Sequence, residues 1–366
     1  MLPIARPRPD AERLLRILDG EEIADRPPLT EYIADPPIIR QVVEGLLGRA
    51  WVDPIAGDRA SQAAYLDNCI AFWYHLGYDT IRLDASLPLP TRRLVAQDTA
   101  PGASRERHWA DEHEGPIASW DDFERYPWPS VSDVDFFPFE YTAAHLPEGM
   151  GLMLEHNGHM YELLSNLFSY EGLCFALMDQ PDLVQAASDR LGELLVAFYE
   201  HIADIDNVVA FWAGDDMGFR TSTLISPADL RRFVLPWHAR QAAIAHEHGL
   251  KYYLHSCGQL NAIYTDLIEQ VLIDGKHSFE DTIIHAEEFH RLYSRGEAGL
   301  SRRIATLGGV DVDILARGSE EQVRRRTRQL IEACGPYGRF GVGSGNSITN
   351  YVPVANYLAM VNETLR

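Results

Sequence analysis

A succession of short apolar runs, each followed by a stretch of helical periodicity, constrains this chain more than any other feature. Tyr78–Leu83, Gly151–Glu155, Val208–Trp212, Leu250–Leu254, Ile273–Phe279, Ile304–Leu307 and Phe340–Val342 read as strands. Between them stand helical patterns, the strongest over Pro181–Ile202, where Leu183, Ala187, Leu191, Leu194, Leu195, Phe198 and Ile202 share one side. Strands alternating with helices call for a parallel sheet. The strands also end alike, on polar residues: Asp84, Glu155 and His156, Asp215 and Asp216, His255 and Cys257, Glu280, Asp311 and Asn346. In an eight-stranded barrel such ends meet at one mouth, whereas a doubly wound sheet gathers ligands at one crevice. So regular a display predicts an α/β fold, a single (β/α)8 TIM-type barrel over residues 1–366. A helical extension, Asp10–Leu18, precedes it, and residues 88 to about 115 form a long polar excursion.

The richest strand end is Lys251-Tyr-Tyr-Leu-His255-Ser-Cys257-Gly258. Residues i and i+2 of a strand share a face, so one imidazole and one thiol point into the same volume. That donor pair suits zinc; the competing reading is a buried histidine beside a small apolar cysteine. Zinc needs further ligands, and Glu280, at the next strand's end, is the expected third; a catalytic general base or a plain loop carboxylate are its competing readings. Cys334 lies at a helix end before a strand, on the stability face, and is not expected to ligate. Asp215 and Asp216 are adjacent carboxylates of which only one is expected to enter the mouth, as a proton donor or a substrate-positioning group. His156, Glu162, Trp212, Tyr252 and Asn346 are expected to line the substrate pocket. Gly308-Gly309 and Gly343-Ser-Gly345 permit close backbone approach by a ligand, but no GxGxxG opens a helix and no Walker-type or GxSxG element occurs.

The formal charge of −22 disfavours nucleic acid and anionic membrane surfaces as partners. Four scattered cysteines in 366 residues give no disulfide framework, the N-terminus lacks a signal-peptide core, and no apolar run would span a bilayer. A cytoplasmic location is expected.

His255-Ser-Cys-Gly after an apolar strand, Gly308-Gly-Val-Asp311 after a later one, and Ser226-Pro-x-x-Leu-Arg-x-Phe-Val-Leu-Pro236 before both together resemble the uroporphyrinogen decarboxylase superfamily. So does Glu12-Arg-Leu-Leu-x-x-Leu-x-Gly20 running into Asp25-Arg-Pro-Pro28. The resemblance implies a (β/α)8 barrel, often dimeric, and one of two chemistries. True decarboxylases use no metal and grip porphyrin carboxylates with an arginine-rich motif. The corresponding stretch here, Leu29-Thr-Glu-Tyr-Ile-Ala-Asp35, has no arginine. The other branch holds zinc methyltransferases that move methyl groups between a corrinoid (cobalamin-type) protein and small thiols or methylated substrates. His255 and Cys257 match its zinc pair, while Asn346 stands about where its second cysteine falls. Either Glu280 completes a different set or metal binding has been lost. The expectation is therefore a zinc methyltransferase with a corrinoid protein partner, against a metal-free decarboxylase or lyase and a non-catalytic corrinoid- or tetrapyrrole-binding barrel.

Overall fold

The structure, a computed structural model, describes residues 6–97 and 106–366. Seven parallel strands form one sheet in chain order: β1 (Thr80–Ala85), β2 (Gly151–His156), β3 (Val208–Gly214), β4 (Lys251–His255), β5 (Gly275–His277), β6 (Ala305–Leu307) and β7 (Phe340–Gly341). The segment 28–34 supplies the eighth position. The Thr30 N–H donates to Val342 O (2.8 Å), and the Val342 N–H donates to Pro28 O (2.8 Å). On its other side β1 is an edge of the sheet, so the barrel closes through side chains there. The Tyr32 hydroxyl reaches both oxygens of Glu155 (3.1 Å each), and the Arg82 guanidinium lies 3.9 Å from the Tyr32 ring centre.

Strand alternation sorts the core into two layers. Met153, Ala210, Trp212, Tyr253, Ala305 and Leu307 fill the barrel, and Leu14 and Leu18 of the helix Ala11–Leu18 join them as a plug. Leu152, Leu154, Phe211, Ala213, Tyr252 and Leu254 face outward onto the helices. Burying side chains of this size contributes about 1.5–3 kcal/mol each.

Local signals set the helix ends. Asp58 caps Arg59–Leu76, and Gly77, at φ +87°, stops it. Ser319 and Gln322 form the reciprocal capping box of Glu320–Cys334. Pro236 divides Pro227–Phe233 from Leu235–Glu247. Helices Pro36–Gly45 and Phe137–His145 go beyond the elements expected from the sequence; each carries proline in its first turn, where a missing N–H is no loss. Within the polar excursion, Arg93–Gln97 pairs antiparallel with Glu106–Ala110. No helix among the described residues is long and apolar enough to cross a membrane.

The small-residue strand ends admit neighbouring backbone rather than a ligand, contrary to expectation. A Cβ at Gly343 would lie 1.7 Å from Thr30 O, at Gly345 2.2 Å from Phe279 O, and at Gly308 2.1 Å from Ser344 O.

Glu31 pins the seam beside Gly343. Its Oε2 accepts from the Ser344 N–H (3.1 Å) and its Oε1 from the Ser344 hydroxyl (2.6 Å). Burial pushes this carboxyl up to about 7 against those two donors and the Tyr32 N–H. Between about pH 4.3, where an unfolded glutamate ionises, and about 7, only the folded chain holds the proton. The resulting stabilisation, roughly 4 kcal/mol at most, is complete below that window and lost as the pH rises through it. Glu31→Gln is expected to flatten this slope; urea unfolding of both proteins at pH 5 and pH 7.5 measures it, and parallel slopes would refute it.

Candidate metal centre

At the end of β4 the chain leaves the barrel through Ser256 and Cys257. The register of the sheet sets Gly214, His255 and His277 level with one another. Three ligand atoms converge there. His255 Nε2 lies 3.5 Å from Cys257 Sγ and 3.5 Å from Asp216 Oδ1. A tetrahedral zinc with bonds of about 2.0–2.3 Å places its ligand atoms about 3.3–3.6 Å apart. All three atoms lie within 4.8 Å of one another.

Hydrogen bonding fixes which imidazole nitrogen is available. His277 Nε2 faces Ser344 O at 3.0 Å, and a carbonyl only accepts, so that nitrogen carries the proton. Burial holds His277 well below the usual histidine range, and His255 pushes it further the same way, so the ring is neutral and its Nδ1 accepts. His255 Nδ1–H is then the donor across the 2.7 Å separation, which leaves a lone pair on His255 Nε2. This is the second contact that a ligating histidine needs. The Tyr32 ring stacks on His255 at 4.1 Å and 9° and holds its plane. Gly214 makes room for Tyr32, since a Cβ there would lie 1.9 Å from the tyrosine oxygen.

The other two donors are similarly held. The Cys257 N–H donates to Asp216 Oδ1 (2.8 Å), and Asn346 Nδ2 donates to Cys257 Sγ (3.1 Å). Burial of Asp216 works against its charged form, while the hydrogen bond it accepts from the Cys257 N–H favours that form. Burial, then the Asp216 charge, pushes the Cys257 thiol up to about 12. A divalent cation reverses that preference by binding thiolate. Nitrogen, sulfur and oxygen donors at these separations, with one imidazole lone pair fixed, fit zinc.

His277→Phe removes the acceptor for His255 Nδ1–H while keeping a ring in place. Zinc affinity is expected to fall about 10- to 100-fold, the usual cost of losing such a partner, as read by competition with a chromophoric chelator.

Several residues stand elsewhere than the sequence suggested. Glu280 is exposed and belongs to neither group of converging ligand atoms found among the described residues; Asp216 takes the place expected for it. Glu280 and Asn346 instead wall a cavity of about 590 Å³ beside the centre. Neighbouring residues on a strand diverge, and Asp215 accordingly turns away from the mouth. It accepts from the Tyr161 N–H (3.0 Å), the Glu162 N–H (3.0 Å) and His238 Nε2 (2.9 Å), which commits it to anchoring the helix Met160–Phe168. Tyr252 faces the helices, where its hydroxyl meets His238 Nδ1 (2.8 Å), and so does not line the mouth. His156 also faces outward, against Phe198; its Nε2 accepts from the Leu87 N–H (2.8 Å) and its Nδ1 meets Gly158 O (2.9 Å). Both ring nitrogens are occupied, which leaves none for a substrate. Trp212 lies inside the barrel below the centre, in edge contact with His277. Glu162 remains at the mouth side of its helix. Burial, then the charges of Asp215 and Asp216, push its carboxyl well above the usual range. Cys334 is buried at its helix end, outside both ligand groups.

Tyr32, His277, Ser344 and Glu31 were not legible as parts of the centre. Only the register of β4 on β5, which pairs His255 with His277, brings out the second histidine.

The family of uroporphyrinogen decarboxylase (URO-D) matches residues 161–365. No curated protein matches the chain. Among solved structures, a methyltransferase from Methanosarcina mazei superposes with a TM-score of 0.68 at 16% identity, over 98% of each chain. That likeness extends the shared fold to nearly the whole length. Xylanase B from Clostridium stercorarium F9 matches 66% of this chain and 83% of its own at 13% identity, with a TM-score of 0.36, too low to carry an argument.

Proposed function

The chain belongs to the uroporphyrinogen decarboxylase family, and from that premise we propose that it is a zinc-dependent methyltransferase, moving a methyl group between a small methylated substrate or thiol and a separate corrinoid protein. One observation carries this reading: His255 Nε2 lies 3.5 Å from both Cys257 Sγ and Asp216 Oδ1, the three ligand atoms fall within 4.8 Å of one another, and His277 accepts from His255 Nδ1–H. The likeness to a methyltransferase supports the fold alone.

Bound zinc would supply Lewis acidity to the oxygen or sulfur that gives up or receives the methyl group. His255, Cys257 and Asp216 would hold it, and Asn346 would keep the sulfur lone pairs directed by its amide hydrogen bond. In the demethylating direction the methyl group leaves as a cation equivalent, and its bonding pair stays on the heteroatom. Glu162, whose carboxyl is pushed well above the usual range by burial and then by the charges of Asp215 and Asp216, is the group suited to protonate that atom. A porphyrinogen carrying many carboxylates is poorly matched to this mouth. Arg82, the arginine buried in the barrel, is already committed to Glu155 and Tyr32.

Protein purified without a metal-binding tag is expected to hold about one equivalent of zinc by elemental analysis. Chelation should abolish methylation of free cob(I)alamin by a panel of methyl ethers, thioethers and amines, and zinc should restore it. Less than a tenth of an equivalent, unrestored by added zinc, would refute the proposal.

A further inference from the structure

The cavity beside the metal centre, about 590 Å³, falls within the range of small-ligand pockets, about 300–1,000 Å³. It opens at the mouth, where the chain leaves the last three strands: Glu280 follows β5, Asp311 follows β6 and Asn346 follows β7. Asn346 belongs to both places. It lines the cavity and donates its amide to Cys257 Sγ at 3.1 Å, so one side chain separates the cavity from a zinc donor.

The wall carries charge of one sign. Glu280, Asp281, Asp311 and Asp313 line it, and no lysine, arginine or histidine does. Its remaining polar side chains are the Asn346 amide and hydroxyls. Three of the carboxylates are already engaged. Asp281 meets Arg326 (3.0 Å) and His285 Nδ1 (3.1 Å), and Asp313 meets Arg317 (3.1 Å). Asp311 accepts from the Asp281 N–H (3.0 Å) and the Asp313 N–H (2.7 Å). Glu280 differs: it is exposed, and its carboxylate has no hydrogen bond or ion pair among the described residues. Lys276 is fully buried, donates to Ser278 O and lies 4.6 Å over the Phe279 ring, and it is not part of the wall. On a flat surface an uncommitted carboxylate is a solvated charge. Here it stands in a concave space beside Phe279, Val312, Ile314 and Tyr351, the last about half exposed (49%). Low-dielectric walls focus the field of a fixed charge on an oppositely charged ligand, and aromatic rings attract cations as well.

We propose that this cavity receives a protonated amine, with Glu280 as its counter-charge, and that the substrate is a small thiol or methyl thioether carrying an ammonium group. The sulfur would face the metal and the ammonium the cavity. For the sulfur this rests on the methyl-transfer reading above; the preference for a cation rests on the cavity alone. A carboxylate or sulfonate in the same place would meet carboxylates and no cationic donor, so anionic thiols are disfavoured.

S-methylcysteamine and its propyl homologue, each paired with the alcohol of the same chain length, are the probes. Calorimetric titration of the intact protein at low salt, with zinc measured on the same sample, is expected to show the better amine binding about fivefold or more over its alcohol, the upper end for an accessible ion pair, and the gap should close as salt is raised. Glu280→Gln should abolish the gap and keep its zinc, and Glu280→Lys should turn the preference toward methylthiopropionate. No gap for either pair, or a gap that Glu280→Gln leaves intact, would overturn the ammonium site and leave the zinc reading standing. Protein that takes up no zinc would overturn the zinc reading instead. Butylamine against butanol on that same protein then decides the cavity by itself: a preference for the amine that Glu280→Gln removes upholds it, and equal affinity overturns it.

Discussion

Asp216→Ala is expected to weaken zinc binding by at least about a hundredfold, while Glu280→Ala leaves it unchanged. The size follows from rank: losing a group that merely orients a ligand costs about 10- to 100-fold, and losing a ligand costs more. The choice of carboxylate follows from geometry. Asp216 Oδ1 stands 3.5 Å from His255 Nε2 and is fixed by the Cys257 N–H at 2.8 Å, whereas Glu280 is exposed and outside the ligand group. Asp216→Asn separates two roles of the residue. Its amide oxygen can still accept from the Cys257 N–H, so it should preserve the loop while lowering affinity by removing the negative charge. Titration of all three variants against a competing chelator decides the matter. A hundredfold loss at Glu280 with none at Asp216 would reverse the assignment.

Gly343→Ala should be the most damaging single methyl group in the barrel, costing about 3 kcal/mol or more. Overpacking usually costs 1–3 kcal/mol because side chains can yield. Here the obstacle is Thr30 O, 1.7 Å from the new Cβ, and it belongs to the segment whose hydrogen bonds to Val342 close the sheet. Backbone cannot yield without breaking that closure. Glu31 and Tyr32 are on the same segment, so zinc binding should weaken along with stability. Gly299→Ala is the control. Unlike Gly343, that residue has a positive φ (+75°), and its Cβ would meet nothing within 4 Å, so only its backbone strain should register. Denaturant unfolding of the two variants would be compared, and equal losses would refute the steric argument.

The architecture was legible because it is written in local patterns. Strand runs, polar strand ends and capping residues repeat in order, and each can be read without its neighbours. The pair His255 and Cys257 was legible for the same reason, since a spacing of two in a strand fixes a common face. The third donor was not. Glu280 and Asp216 both end strands adjacent to β4, and the sequence offers no means to tell which carboxylate turns inward. Asp216 does so because Asp215 is drawn outward by two amide groups and a histidine from distant elements. Tyr252 and His156 illustrate a related limit: each sits close to a strand end yet on the outward face, a matter of register by one residue. The glycines near Ser344 misled in the opposite sense, because closeness to a strand is indistinguishable from closeness to a ligand until the strand is in place.

The stacking of Tyr32 on His255 has a consequence for how the centre fills. With Arg82 and His255 both about 4 Å from the tyrosine ring, its hydroxyl tied to Glu155, and the imidazole bonded to His277, no rotation is open to His255 without disturbing four other groups. The centre is a rigid socket whose shape persists whether or not an ion is seated. Capture therefore needs little ordering of the chain, and metal-free and metal-loaded protein should show the same hydrogen-exchange protection throughout β4 and β5.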